Sequence, residues 1–141
     1  MISRFVSSRA DALHTIARVG AGTMFACHGL QKFFGVLGGH AQPVGSQAWF
    51  GAVIELTTSA ALIVGFQTSL AALAAAAMLV VAYAQFHWKF SFDARFFPIV
   101  NKGELALVYV LLFLLVASRE AGPLSLDAAL RRRAQREDAP G

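Results

Sequence analysis

An all-α, integral membrane fold, built as an antiparallel four-helix bundle, is predicted by three features of this sequence. Of its 141 residues 57% are hydrophobic and only 14% are charged, well below the roughly 25% charged residues of soluble domains. The apolar residues collect into four runs, at residues 13–37, 47–65, 69–88 and 103–118, separated by glycine, proline or charge. The length allows one domain, with residues 119–141 left over as a tail.

Each run has its own reason to be a helix. The first follows a polar entry containing Arg4, Arg9, Asp11 and Arg18, and it lacks the cleavage site of a secretory signal, so an uncleaved span is expected. Its Gly20, Gly22 and Gly29 allow a neighbouring helix to come close. The cluster Gly38-Gly39-His40-Ala41-Gln42-Pro43-Val44-Gly45-Ser46 is a loop. Trp49 and Phe50 mark an interface at the start of the second span, which carries Glu55 in its body with Gly51 and Ser59 one turn to either side. Gly65-Phe66-Gln67-Thr68 is short enough to force an antiparallel neighbour. The third span opens with the alanine run Ala71-Ala72-Leu73-Ala74-Ala75-Ala76-Ala77 and ends with Tyr83 and His87 one turn apart. From Phe86 to Asp93 aromatic and polar residues alternate with a period of two, so the helix ends there, and Arg95-Phe96-Phe97-Pro98 continues a segment suited to the headgroup region. The fourth span carries no charge after Glu104 until Arg119. Gly122-Pro123 then breaks the chain, Ser125 caps a short helix with Asp127 in its first turn and Arg131, Arg132, Arg133 and Arg136 further along, and the last residues fray.

The distribution of Lys and Arg gives an orientation. Four spans put both termini on one side with eight basic residues (Arg4, Arg9, Arg18, Arg119, Arg131, Arg132, Arg133, Arg136) and leave four, Lys32, Lys89, Arg95 and Lys102, on the other. The richer side is the cytoplasm, so a multi-pass protein of a bacterial or archaeal inner (plasma) membrane is expected. The formal net charge of +4 therefore reflects topology, and nucleic acid is not an expected partner. The lone Cys27 excludes an internal disulfide and a CxxC motif.

Ionisable residues inside spans are rare and tend to face protein or water. His28 and Lys32 lie four residues apart, stacked on one helix face about 6 Å apart along the axis. Both sit toward the outer end of the first span. Glu55 is in the outer half of the second, Tyr83 and His87 close the third, and Glu104 opens the fourth. One polar pocket open toward the outer face is the expectation, with Lys32 and Glu55 as its ion pair. Glu55, His28 and Lys32 are the candidate catalytic groups, and Tyr83, His87 and Glu104 the candidate substrate-binding ones.

These residues also resemble the DoxX family. The resemblance rests on His28-Gly29 followed by Lys32, on Gly51 followed by Glu55 and Gly65, on Asn101-Lys102-Gly103-Glu104 at a helix start, and on Gly122-Pro123-Leu124-Ser125-Leu126-Asp127, together spanning residues 14–130. It implies a four-helix inner-membrane protein, and the family is named for a small subunit associated with archaeal quinol oxidation and thiosulfate:quinone oxidoreduction. It also places His28, Lys32, Glu55 and Glu104 at the family's characteristic polar positions.

Every one of these residues has a plain structural reading beside the functional one. Lys32 can be a snorkelling helix-end cation, Glu104 a carboxylate favoured by a helix N-terminus, Glu55 half of a structural pair, and His28 a packing histidine. His87, Tyr83 and Trp88 can be interfacial anchors, His14 and His40 solvated, and Cys27 a small packing residue. A quinone suits the pocket best, since its head needs donors at its carbonyls and a proton route. His28, Lys32 or Tyr83 can donate and Glu55 can accept a proton. With no dinucleotide motif and no cysteine cluster in the sequence, a partner subunit has to carry the electrons, or copies of the chain assemble. No metal or haem is expected. The competing reading is a non-catalytic membrane anchor or assembly scaffold for a soluble redox partner, so whether the chain is an enzyme is left open. Transport, a third reading, lacks a broken helix at mid-membrane.

Overall fold

A single left-handed glycine ends the first helix. The computed structural model describes residues 9–119 and 121–137, so that Arg4 and the expected fraying of residues 138–141 lie outside the described residues. Helix α1 runs Ala10–Phe34 and stops where Gly35 takes φ 70°, its N–H donating to the Gln31 carbonyl at 3.1 Å. The expected span continued to Leu37. Instead the chain folds back on the helix end, with Gln42 N–H donating to the Lys32 carbonyl (2.7 Å) and Gln31 Nε2 to that of Leu37 (2.9 Å).

Helix α2, Gln47–Val64, begins where the Ser46 hydroxyl accepts the Trp49 N–H at 3.2 Å, an N-cap. It ends at Gly65, whose φ of 71° and tight surroundings both demand glycine: a Cβ there would lie 2.5 Å from that of Ser125. Helix α3, Thr68–Ala82, continues as one π-helical turn, Tyr83–Trp88, to the end predicted for the third span. A 3₁₀ turn (Ala94–Phe96) and the short helix α4 (Pro98–Asn101) lead into α5, Glu104–Ala117, and the amphipathic α6, Leu126–Glu137, follows. Six α-helices and no strands make up the described residues.

Packing follows side-chain size. α1 lies closely along α2 and α3 along α5, with α2 beside α3 and α1 more loosely beside α5. Gly22 and Gly29 explain the first pair. A Cβ on Gly29 would come within 2.8 Å of Leu56, and one on Gly22 within 3.2 Å of Leu62 and Ile63, whereas Gly20 faces open space. Alanines Ala71, Ala72, Ala75 and Ala76 line the buried face of α3, as the alanine run predicts. Across the wider α1–α5 gap aromatic rings fill the space, with Phe25 5.1 Å from Phe113 and 5.7 Å from Tyr109.

The outer faces are apolar. Leu70, Leu73, Val80 and Val81 on α3 and Leu105, Val108, Leu111 and Leu115 on α5 are all at least half exposed. A continuous apolar exterior of this kind marks contact with lipid or another protein. α2, and α3 together with its π turn, are long and apolar enough to cross a membrane, at 18 and 21 residues. α5 is apolar but has 14 residues, and the polar residues of α1 lower its hydropathy.

Two sequence expectations need correction, and one basic residue counted for topology is buried: Arg18 is 1% exposed, two turns inside α1. His14, expected in solvent, is buried. Cys27, expected to pack inside, sits on the exposed face of α1 with Sγ toward the Thr23 carbonyl.

Candidate functional site

The α1–α2 contact places the expected ion pair. Lys32 Nζ lies 2.5 Å from Glu55 Oε1, with the lysine side chain 39% exposed and the glutamate 3%. Gly29, one turn before Lys32, lets α2 approach until Glu55 Cβ is 3.2 Å from where a Cβ would stand. Only one carboxylate oxygen is used. Glu55 Oε2 and the Ser59 hydroxyl, one turn further on, are buried without a partner among the described residues. Buried polar atoms are almost always hydrogen-bonded, so an acceptor without a partner at this depth is unusual. His28, one turn before Lys32, sets its ring at 90° to Tyr109 of α5, centroids 6.2 Å apart. Tyr109 is buried. A phenol in the middle of the aliphatic fourth span was the sequence signal for it, and the expected set of site residues omitted it.

Tyr83 and His87 form a different group, with Glu104 nearby in sequence only. The π turn stacks Tyr83 on His87, rings 6.2 Å apart, and such turns recur at functional sites. Asn101 ties this group together: its Nδ2 donates to the Tyr83 hydroxyl (3.1 Å) and the Arg95 carbonyl (2.8 Å), and its Oδ1 accepts the Gly103 N–H (2.8 Å). His87 Nδ1 lies 3.2 Å from the Asn101 carbonyl. A carbonyl only accepts, so that nitrogen carries the proton. Gly103 is required here, since a Cβ would strike the Tyr83 ring at 2.5 Å. Glu104, first residue of α5, is exposed. The Gln47 side-chain amide donates to Gln85 Oε1, linking the start of α2 to the π turn. Among the described residues no hydrogen bond, ion pair or ring contact joins Lys32 and Glu55 to Tyr83, His87 or Glu104. Of the residues expected to share one pocket, Lys32 is in contact with Glu55 and Tyr83 with His87, and equal depth along the helices does not by itself fix which way each one faces. Beyond them, Trp88 packs edge to face on Phe92 and Phe96, which stack on each other, and Arg95 beside Asp93 holds that carboxyl well below the usual carboxylate range.

The opposite end holds a second polar network that sequence reasoning placed only in part. Arg18 donates to the Leu62 and Ile63 carbonyls at the end of α2, the latter at 3.1 Å, and to the Leu124 carbonyl at 2.8 Å. Asp127, expected to serve its own helix, caps another. Its carboxylate accepts from Gln67 N (2.8 Å), Thr68 N (3.1 Å) and Thr68 Oγ1 (3.1 Å) at the start of α3, while its own N–H donates to the Gly65 carbonyl at 2.9 Å. Burial pushes the Asp127 carboxyl up, but these hydrogen bonds and the nearby Arg131 outweigh it, and the net shift is downward. Ser125 caps α6 as predicted, its hydroxyl accepting the Ala128 N–H at 3.1 Å.

Comparisons with known proteins find a family model and a relative. The DoxX family model matches residues 13–88, from α1 to the end of the π turn, and so includes the Lys32–Glu55 pair. An uncharacterized protein of Haemophilus influenzae is 36% identical over 114 residues, covering 78% of this chain and 84% of that one. No solved structure matches.

Proposed function

The chain belongs to the DoxX family, and from that premise we propose that this membrane protein is a multi-pass, four-span subunit of a quinone-linked redox system in the inner membrane, with both termini cytoplasmic. The observation that supports the redox reading is the half-used carboxylate: Glu55 is nearly fully buried and paired through one oxygen, and its Oε2 and the Ser59 hydroxyl are buried without a hydrogen-bond partner among the described residues. A buried acceptor next to donors suits a ligand that both accepts hydrogen bonds and releases protons.

A quinone bound there supplies a two-electron, two-proton couple. Lys32 and His28 are the donors toward a carbonyl oxygen, and Tyr109 walls the site on the α5 side. Glu55 would accept one of the two protons released when a quinol is oxidised, and the other would leave to solvent past the part-exposed Lys32. The two electrons pass to a partner subunit, since the chain carries neither a dinucleotide motif nor a cysteine cluster. Tyr83, His87 and Glu104 lie at the outer rim of this reading as gate or docking residues. The short α5, about 21 Å long against about 30 Å of hydrocarbon, is helped across by the exposed Phe97, Ile99 and Val100 before it.

The second reading, a non-catalytic scaffold, is favoured by the exposed aromatic connector, where Phe90, Phe92, Phe96 and Phe97 present a surface to a partner. One experiment separates the two. Glu55→Gln keeps the shape and removes the proton acceptor, so the expected result is a folded protein with impaired quinone-dependent electron transfer in membranes holding the native partner. Normal electron transfer in a well-folded variant with both Lys32 and Glu55 replaced by apolar residues overturns the quinone site and leaves the scaffold standing.

A further inference from the structure

Gln47, Gly51, Glu55 and Ser59 stand one turn apart on a single face of α2. In the topology proposed above α2 starts on the outer side, so the four run inward over about 18 Å. The outer half of this face is open. Gly51 is part exposed, and a Cβ on it would meet nothing within 4 Å, whereas the spaces at Gly22 and Gly29 are filled by side chains of the facing helix. The Gln47 amide, tied to Gln85 of the π turn, stands at the mouth. Lys32, part exposed, brings its ammonium to Glu55 from α1, and a cation within a span calls for water around it.

The inner half is closed. Inward of Ser59, α2 meets α1 at Gly22, where a Cβ would lie 3.2 Å from both Leu62 and Ile63, and Leu62 has no exposed surface. One turn further in on α1, Arg18 is fastened to the Leu62 and Ile63 carbonyls, so a fixed guanidinium plugs the seam from the cytoplasmic side. Between the open and the closed halves lie Glu55 Oε2 and the Ser59 hydroxyl, both buried without a partner among the described residues. Ser59 differs in this from the other hydroxyls of α1 and α2. Thr15, Thr23, Thr57 and Thr58 each donate to the carbonyl one turn back along their own helix, and the fully buried Ser59 does not. Its hydroxyl is left to serve the space beside Glu55. We propose that the notch at Gly51 is a hydrated port that connects Glu55 to the outer aqueous phase and not to the cytoplasm, with Ser59 at its inner end. Any proton that Glu55 takes up or gives off then comes from, or goes to, the outer side. The port rests on the proposed topology and stands without the quinone.

The test places a thiol at each end of the port. Cys27 is exposed, so Cys27→Ser is the background, and Gly51→Cys or Ser59→Cys is added in the full chain. Silver nitrate, whose cation binds thiolate sulfur, is given in chloride-free buffer to right-side-out or to inverted membrane vesicles. Thiols left free are then counted with a maleimide after denaturation. Asp93→Cys and Glu137→Cys, at exposed positions of the connector and of α6, report which side the ion has reached. Both port thiols are expected to be blocked from the side that blocks Asp93→Cys and to stay free from the side that blocks Glu137→Cys. Filling the notch with Gly51→Leu should slow the block of Ser59→Cys severalfold, while Gly20→Leu, equally open but on the face of α1 opposite Gly29, should not. Ser59→Cys remaining free where Gly51→Cys is blocked, reacting equally from both sides, or ignoring Gly51→Leu overturns the port. Gly51→Cys, set in open space, decides the matter even when the buried substitution does not fold: its block from the inner side, or from neither, overturns the port alike. Block of Asp93→Cys only in inverted vesicles overturns the topology instead, because the side is read from the two reporters.

Discussion

Lys32 and Glu55 differ in how far each can adapt when its partner is lost. Lysine is 39% exposed and glutamate 3%, so a lone Lys32 can swing its ammonium out to water while a lone Glu55 stays where it is. Lys32→Met should therefore destabilise by about 2–4 kcal/mol, Glu55→Leu by less, and the double replacement should recover most of the loss. Thermal unfolding of the four proteins in one detergent measures this order, and a Glu55→Leu cost above that of Lys32→Met contradicts it. The pair itself was legible, because an acid and a lysine in greasy spans have few other partners. Tyr109 and Arg18 were not. A tyrosine in an apolar run resembles any core aromatic, and an arginine near a span's start resembles a flanking charge, until Phe25 and the Leu62 carbonyl show what surrounds them.

At the scale of elements, Asp127 is the cap that α3 lacks within its own segment. Gln67 precedes that helix in a left-handed conformation with no side-chain cap of its own, so the donors at the start of α3 are satisfied from α6. Losing that cap in Asp127→Ala should cost about 1 kcal/mol. The pH dependence has a definite sign. The folded carboxyl is held below its unfolded value of about 3.9, so below that value the unfolded chain binds the proton first. The contribution is then complete above about pH 4 and declines as pH falls through the folded value. Unfolding from neutral pH down to acid should show this loss in the native protein and not in Asp127→Ala. Parallel curves for the two proteins count against the cap. The motif from Gly122 to Asp127 stood out in the sequence as a break and a helix start, but its target lay 59 and 60 residues away, beyond what local spacing can reveal.

For the whole molecule, topology is the prediction with most at stake. With both termini inside, reporter fusions at Ala41 and Asp93 should report the outer side of the membrane and a fusion after α6 the cytoplasm. A cytoplasmic signal at Ala41 or Asp93 reverses the orientation on which the placement of both polar groups rests. The basic residues favour this orientation even without Arg18: its burial leaves seven of the eight counted on the inner side against four, and the rule depends on the excess and not on any one residue.

Composition and periodicity by themselves determined the class of this protein, the number and limits of its long helices to within a few residues, the breaks between them, and the Lys32–Glu55 pair. Each depends on burial averaged along the chain or on an ionisable group that hydrocarbon excludes. Only the tertiary structure decided that His28 turns to Tyr109, that Tyr83 and His87 answer to Asn101, and that Arg18 and Asp127 lock the far end through the turn at Gly65. These arrangements depend on the rotation of each helix about its axis, which glycine contacts and aromatic packing settle between residues far apart in the chain.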